Sequence, residues 1–121
     1  MIIVDTSVFV DFLRDGDPAV EAALDRGRVL IHPFVIGEIA LGHLKKRRAI
    51  LDLLAALPRA QPATDSEALA YIERHCLFGR GIGFVDAHLL ASARLSSAAL
   101  WTRDKKLRAV AEEMALAAAD I

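Results

Sequence analysis

Cysteine is nearly absent: Cys76 is the only one in 121 residues. No intramolecular disulfide can form, so packing alone must hold the fold, and a reducing, cytoplasmic setting is expected. Cys76 itself reads as a small hydrophobe buried within a helix. Long uncharged apolar runs are missing too. None approaches the roughly 18 residues that a membrane span needs, and Asp5 interrupts the N-terminal apolar run before a signal-peptide core could develop. No membrane association is expected. Aromatic residues make up 6% of the chain, which leaves few rings for stacking on bases. Neither sign of charge is in excess. Fifteen Lys and Arg against sixteen Asp and Glu give a net charge of −1, which argues against a globally basic nucleic-acid binder but permits local basic patches. His32, His43, His75 and His88 follow neither an H-x-x-x-H nor an H-E-x-x-H spacing, so a helix-borne zinc site is not indicated. These histidines read as surface or helix-packing residues. No Ser-His-Asp or Cys-His arrangement is legible either.

What remains is apolar. Hydrophobic residues form 55% of the sequence, and the mean hydropathy is +0.36. A chain of this length suits one domain, 1–121, with ample material for a core. The apolar excess is high for a monomer and suggests a face covered by a partner, most simply in a homodimer.

Short β-branched runs alternate with helical patterns. Met1 to Val4 reads as a strand buried on both faces, and Arg28 to Ile31 and Ala98 to Trp101 as two more. Helices are expected over Ser7–Leu13, with Thr6 or Ser7 as cap, over Ala19–Asp25 behind Pro18, and over Phe34–Leu44 behind Pro33. Others follow over Ala49–Leu57, Ser66–Leu77, Phe84–Leu95 and Lys105–Met114. Arg59 to Ala63 could hold a minimal strand, and the final residues a short edge strand. The alternation predicts an α/β domain whose central parallel sheet is flanked by helices.

Most of the sixteen acids fall in turns, caps or polar helix faces, where solvation explains them. Four do not. Asp5 ends an apolar strand although Thr6 and Ser7 are available as caps. Glu38 shares a helical face with Phe34 and Leu41, where an unpaired carboxylate would be costly. Asp86 opens a helix just after Gly81-Ile82-Gly83, a run that permits close backbone approach. Asp104 repeats the strand-end position of Asp5. For Asp86 and Asp104, dipole compensation and helix capping are competing readings. In a parallel α/β sheet, however, strand ends and early helical turns meet at one crevice. Four carboxylates gathered there would repel one another unless a cation compensated, and all-oxygen donors suit Mg²⁺ or Mn²⁺.

Val4-Asp5-Thr6-Ser7, Glu38, Gly83-Phe84-Val85-Asp86-Ala87 and Trp101-Thr102-Arg103-Asp104-Lys105 occur in the order found in PIN-domain ribonucleases. The chain resembles these over its whole length, and among them it is most similar to VapC toxins of toxin–antitoxin pairs. The resemblance implies a Mg²⁺- or Mn²⁺-dependent endoribonuclease leaving 5′-phosphate and 3′-hydroxyl ends. Asp5 and Asp86 would be the direct metal ligands, with Glu38 and Asp104 completing the acidic cluster. Thr6, Ser7 and Thr102 match positions that orient Asp5 or contact the scissile phosphate. Relatives often carry a further acid shortly after the Asp104 position, where this chain has Lys105-Lys106-Leu107. Arg80, Arg103, Lys105, Lys106 and Arg108 surround the acids and are expected to hold flanking RNA phosphates, with Lys45-Lys46-Arg47-Arg48 as a second basic candidate. The implied partners are RNA, a VapB-like antitoxin and a second copy of the chain. A non-catalytic binding module is the alternative reading. Phosphoryl transfer through an aspartyl phosphate at Asp5 is a third, although Asp5-Thr6-Ser7 lacks a D-x-D pattern.

Overall fold

The computed structural model describes residues 1–118. Strand β1 (Ile2–Val4) lies at the centre of a parallel sheet of order β2-β1-β3, with β2 over Val29–Leu30 and β3 over Ala99–Trp101. Ile3 faces Leu30 on one side and Leu100 on the other. Ile2, Ile3 and Val4 are buried, as a strand covered on both faces requires. At about 1.5–3 kcal/mol for each large apolar side chain removed from water, this tripeptide contributes strongly to the core. Single parallel bridges, Ile31 with Arg59 and Leu100 with Ala117, extend the sheet by one pairing at each edge. The first is the minimal strand expected after Pro58. The second falls where a final edge strand was expected, and residues 119–121 lie outside the described part.

Helices α1 (Thr6–Asp15) and α2 (Pro18–Asp25) connect β1 to β2. Then come α3 (Pro33–Ala40), α4 (Arg47–Ala56), α5 (Asp65–His75) and α6 (Phe84–Leu95), with α7 (Lys105–Glu113) following β3. Pro18 and Pro33 occupy first helical turns, where a missing N–H costs nothing. Helix α6 is the buried one, with every residue from Ala87 to Ala93 sequestered. Among the described residues, no helix is long and apolar enough to cross a membrane.

Three local expectations are corrected. Helix α3 stops at Ala40 rather than Leu44. Leu41 is 90% exposed, so the chain leaves the core there. The helix expected from Ala49 starts earlier, at Arg47. Lys46 takes a left-handed conformation (φ 54°) as the N-cap of α4, which puts Arg47 and Arg48 in that helix's first turn. Cys76 is exposed and lies outside the helix. It adopts φ 52° as the C-cap of α5, turning the chain so that Leu77 enters the core.

Candidate active site

The carboxyl end of the sheet is built around Asp5, which is 8% exposed. The Asp5 amide donates to the Trp101 carbonyl at 2.9 Å, locking the ends of β1 and β3 together. Its carboxylate accepts three bonds. Oδ1 takes the Thr6 N–H at 2.7 Å, while Oδ2 takes the Thr102 hydroxyl at 2.7 Å and the Ser7 hydroxyl at 3.1 Å. Asp5, not Thr6 or Ser7, is therefore the N-cap of α1. Capping and site-building are not alternatives here, because the two carboxylate oxygens divide the work.

The two hydroxyls tie Asp5 to the loop after β3. Thr102 Oγ1 accepts from the Asp104 N–H at 3.1 Å, and Ser7 Oγ accepts from the Arg103 N–H at 3.2 Å. Asp104 in turn caps α7, its Oδ1 accepting from Leu107 N–H at 3.0 Å. Thr6 reaches the other way and donates its hydroxyl to Glu38 Oε1 at 2.7 Å. Glu38 is exposed, and so are Phe34 and Leu41, so the expected buried apolar face around it does not exist. Glu38 reaches the site through its bond to Thr6.

Asp86 lies in the first turn of α6, where its Oδ2 accepts the Gly83 N–H at 3.0 Å. Burial raises its carboxyl above the ordinary value. The Gly83 bond opposes that rise, and the negative charges of Asp5, Asp104 and Glu38 add to it. Thus the charge of each of the other three acids acts on Asp86, while Thr6 links the Asp5 segment to Glu38 and Thr102 links Asp5 to Asp104. The four acids do not close on a single point. Among the described residues, no three His, Cys, Asp or Glu side chains form a ready-made cation cage. Hydroxyls and helix-terminal amides occupy much of the carboxylate capacity instead.

The flanking arginines each pair with an acid of the chain. Arg80 makes a two-pronged pair with Glu113, both contacts at 2.8 Å. Arg103 pairs with Asp11, and with Asp17 at 2.6 Å. Arg108 reaches Glu112 at 2.9 Å. Each guanidinium is thus paired with a carboxylate of the chain itself. Asp11 had no evident role in the sequence. Arg14, three residues on, pairs with its Oδ1 at 2.8 Å and gave it a local explanation, which hid its long-range bond to Arg103. Lys105 lines a shallow cavity of about 370 Å³ with Asp17, Arg103 and Arg108.

The sequence and the fold both match known proteins. Residues 2–113 match the PIN domain model. Ribonuclease VapC32 from Mycobacterium tuberculosis is 46% identical over 121 residues, spanning 99% of this chain and 98% of that protein. Among solved structures, FitAB bound to an IR36 DNA fragment aligns with TM-score 0.63 at 24% identity, over 93% of this chain and 91% of that one. PAE2754 from Pyrobaculum aerophilum aligns with TM-score 0.59 at 20% identity, over 90% and 78%. At these identities the two structures bear on the fold alone. The family model and the high-identity relative together go further: this chain belongs to the PIN-domain family, as a VapC-type member.

Proposed function

We propose that the protein is a Mg²⁺- or Mn²⁺-dependent endoribonuclease, the toxin of a toxin–antitoxin pair, and leaves 5′-phosphate and 3′-hydroxyl ends. What supports this reading is that Glu38 and Asp104 are tied by hydrogen bonds to the Asp5 segment and that the charges of all three act on Asp86. The donor set fits a hard divalent ion. All four groups offer carboxylate oxygen, and the burden that its neighbours place on Asp86 is one that a cation relieves. Mg²⁺ keeps several waters, so acids spaced more widely than a closed cage suit it.

Asp5 and Asp86 are the proposed direct ligands, with Glu38 and Asp104 acting through water or at the rim. When bound, such an ion lowers the pKa of an attacking water and offsets charge on the phosphodiester. The chain's own residues set the geometry. Thr102 and Ser7 fix the Asp5 carboxylate, Thr6 fixes Glu38, and the Gly83 amide fixes Asp86. An antitoxin segment is the proposed occupant of an apolar groove of about 400 Å³ lined by Val10, Leu13, Ile39, Leu44 and Ile50, because Glu38 stands at its edge. A VapB-like antitoxin lying there would cover the acidic cleft as well. A second copy of the chain is the proposed cover for other exposed apolar residues such as Phe78 and Leu69.

Purified protein is expected to cut single-stranded RNA with Mg²⁺ or Mn²⁺ and to stop in excess EDTA. Sequencing the new 5′-phosphorylated ends checks the product chemistry. Cleavage that survives EDTA would overturn the metal-dependent reading.

Arg103 has a positioning part in this scheme. It anchors the loop carrying Thr102 and Asp104 to α1 and α2 through Asp11 and Asp17. Arg103→Gln is expected to lower stability by about 1 kcal/mol, a value discounted for half-exposed pairs. It should also lower kcat several-fold. The salt dependence of RNA binding should stay that of the native protein, which separates anchoring from phosphate contact. A flattened salt dependence would restore Arg103 to the RNA-binding role expected from sequence.

A further inference from the structure

Two core histidines each keep a ring nitrogen that nothing in the protein holds. Among the described residues, His32 Nε2 and His88 Nδ1 are the buried side-chain nitrogens or oxygens without a hydrogen-bond partner. They belong to one cluster. His32 and His88 are 1% and 2% exposed, both pack edge-on against Phe34, and the charge of His88 acts on His32. A second ring, Phe84, packs edge-on against His88 at 4.7 Å between centroids. A bare donor or acceptor is costly in such apolar surroundings, so each nitrogen calls for a partner.

The opposite nitrogen of each ring decides where the protons sit. His32 Nδ1 accepts the Phe34 N–H at 3.0 Å, so its lone pair is taken and the neutral ring carries its proton on Nε2. His88 Nε2 lies 3.0 Å from Asp65 Oδ1, which only accepts. That nitrogen therefore carries the proton, and Nδ1 of the neutral ring offers a lone pair. One orphan is a donor and the other an acceptor. A metal ion does not suit the pair, because His32 Nε2 presents a proton rather than a lone pair. The two nitrogens are not bonded to each other. A water molecule donates and accepts at once, and globular proteins bury about one per 27 residues at such groups.

We propose that His32 and His88 hold one buried water between them, and that this link positions Asp86 relative to Glu38. The hydrogen-bonded chain then starts at Asp65 on α5 and passes through His88 on α6 and the water to His32. It ends on the Phe34 amide in the first turn of α3. Both histidines stand close in sequence to an acid of the site. His88 follows Asp86 by two residues on α6, and His32 caps the helix that carries Glu38. The link bonds to neither acid and sets the spacing of the two helices that bear them. The positioning role rests on the ribonuclease reading, whereas the water link does not.

Both parts are tested on the full chain, isotope-labelled at the histidine nitrogens. At neutral pH, long-range proton–nitrogen correlations should show His32 and His88 each protonated at Nε2 only. The His32 Hε2 proton should exchange slowly and give a rotating-frame cross-peak to water, with the sign that marks proximity rather than exchange. A proton on His32 Nδ1, or an Hε2 with no water near it, overturns the link. Substitution then separates the link from space filling. In His88→Asn the amide oxygen takes the place of Nδ1, whereas His88→Gln keeps a donor toward Asp65 and loses that acceptor. In His88→Gln, Mn²⁺ affinity read by electron paramagnetic resonance and kcat in Mn²⁺ should each fall about tenfold or more, with KM for RNA within about twofold. His88→Asn should recover most of both losses. Glutamine performing as well as asparagine overturns the positioning role. If the native protein binds no Mn²⁺ and cuts no RNA while the nitrogen signals stand as expected, the ribonuclease reading and the positioning role fail and the water link holds.

Discussion

Asp5→Asn is expected to lower RNA cleavage by about a thousandfold or more while leaving the protein folded. Asparagine matches aspartate in shape and equals it as an N-cap, so its carbonyl oxygen can still accept the Thr6 N–H at the start of α1. The Thr102 and Ser7 hydroxyls can rotate to pair with an amide as they do with a carboxylate. The substitution therefore retains the scaffold and removes one negative charge from the centre of the acidic cluster. A metal-assisted hydrolysis draws several kcal/mol of barrier lowering from the bound ion, and each 1.36 kcal/mol is about tenfold in rate. Losing a direct ligand should thus cost about three decades. Single-turnover cleavage in Mn²⁺ measures the rate, and circular dichroism with a thermal melt monitors the fold. Activity within tenfold of the native protein would remove Asp5 from the machinery.

The double duty of Asp5 explains what the sequence could and could not convey. The three strands and the span of α6 were readable because apolar periodicity and breaker residues are local signals. Placing Asp5 and Asp104 at strand ends needed only the rule that parallel sheets form their crevices there. Deciding between cap and ligand was another matter. Capping uses one carboxylate oxygen and leaves the second available, a division visible only once Thr102, 97 residues away, is seen bonded to Oδ2.

Glu38 was singled out for a burial that does not exist. Helical spacing gives the face a residue shares, but not whether another element covers that face. The arginines illustrate the same limit. Proximity in sequence to Asp104 or Asp86 suggested phosphate contacts, whereas Glu113, Asp11 and Asp17, brought in by the fold, take up Arg80 and Arg103. Cys76 was expected inside a helix because nothing as obvious as glycine marks the end of α5, and a non-glycine residue adopts the left-handed turn instead. For Glu38 and the arginines the missing information was long-range; for Cys76 it was a local backbone conformation.

Stability should fall by about 3 kcal/mol between pH 6.5 and 4 on account of His32 alone. His32 is 1% exposed, and its Nδ1 accepts the Phe34 N–H at 3.0 Å as the N-cap of α3. Its Nε2 has no partner among the described residues, and a second proton would go to Nδ1, break the bond from Phe34 and bury an unsupported charge. Burial pushes its pKa from 6.5 down to about 4, and the charges of His88 and Arg59 push the same way. Between these values the unfolded chain binds a proton that the folded chain refuses, so stability is lost as pH drops through that window. A shift of this size corresponds to about 3 kcal/mol, a large part of the roughly 5–15 kcal/mol of an ordinary domain. Phe34 packs edge-on against both His32 and His88, at 5.0 and 4.9 Å between ring centroids. The cost therefore falls where α3, the helix carrying Glu38, meets α6, the helix carrying Asp86. His32→Asn keeps a capping oxygen for the Phe34 N–H and removes the titrating ring. Urea unfolding at half-unit steps of pH should show a flatter profile for the variant than for the native chain across this window. The smaller side chain should lower the variant's stability by a constant amount at every pH, leaving the slope as the reading. Parallel profiles for the two proteins would place the acid sensitivity elsewhere.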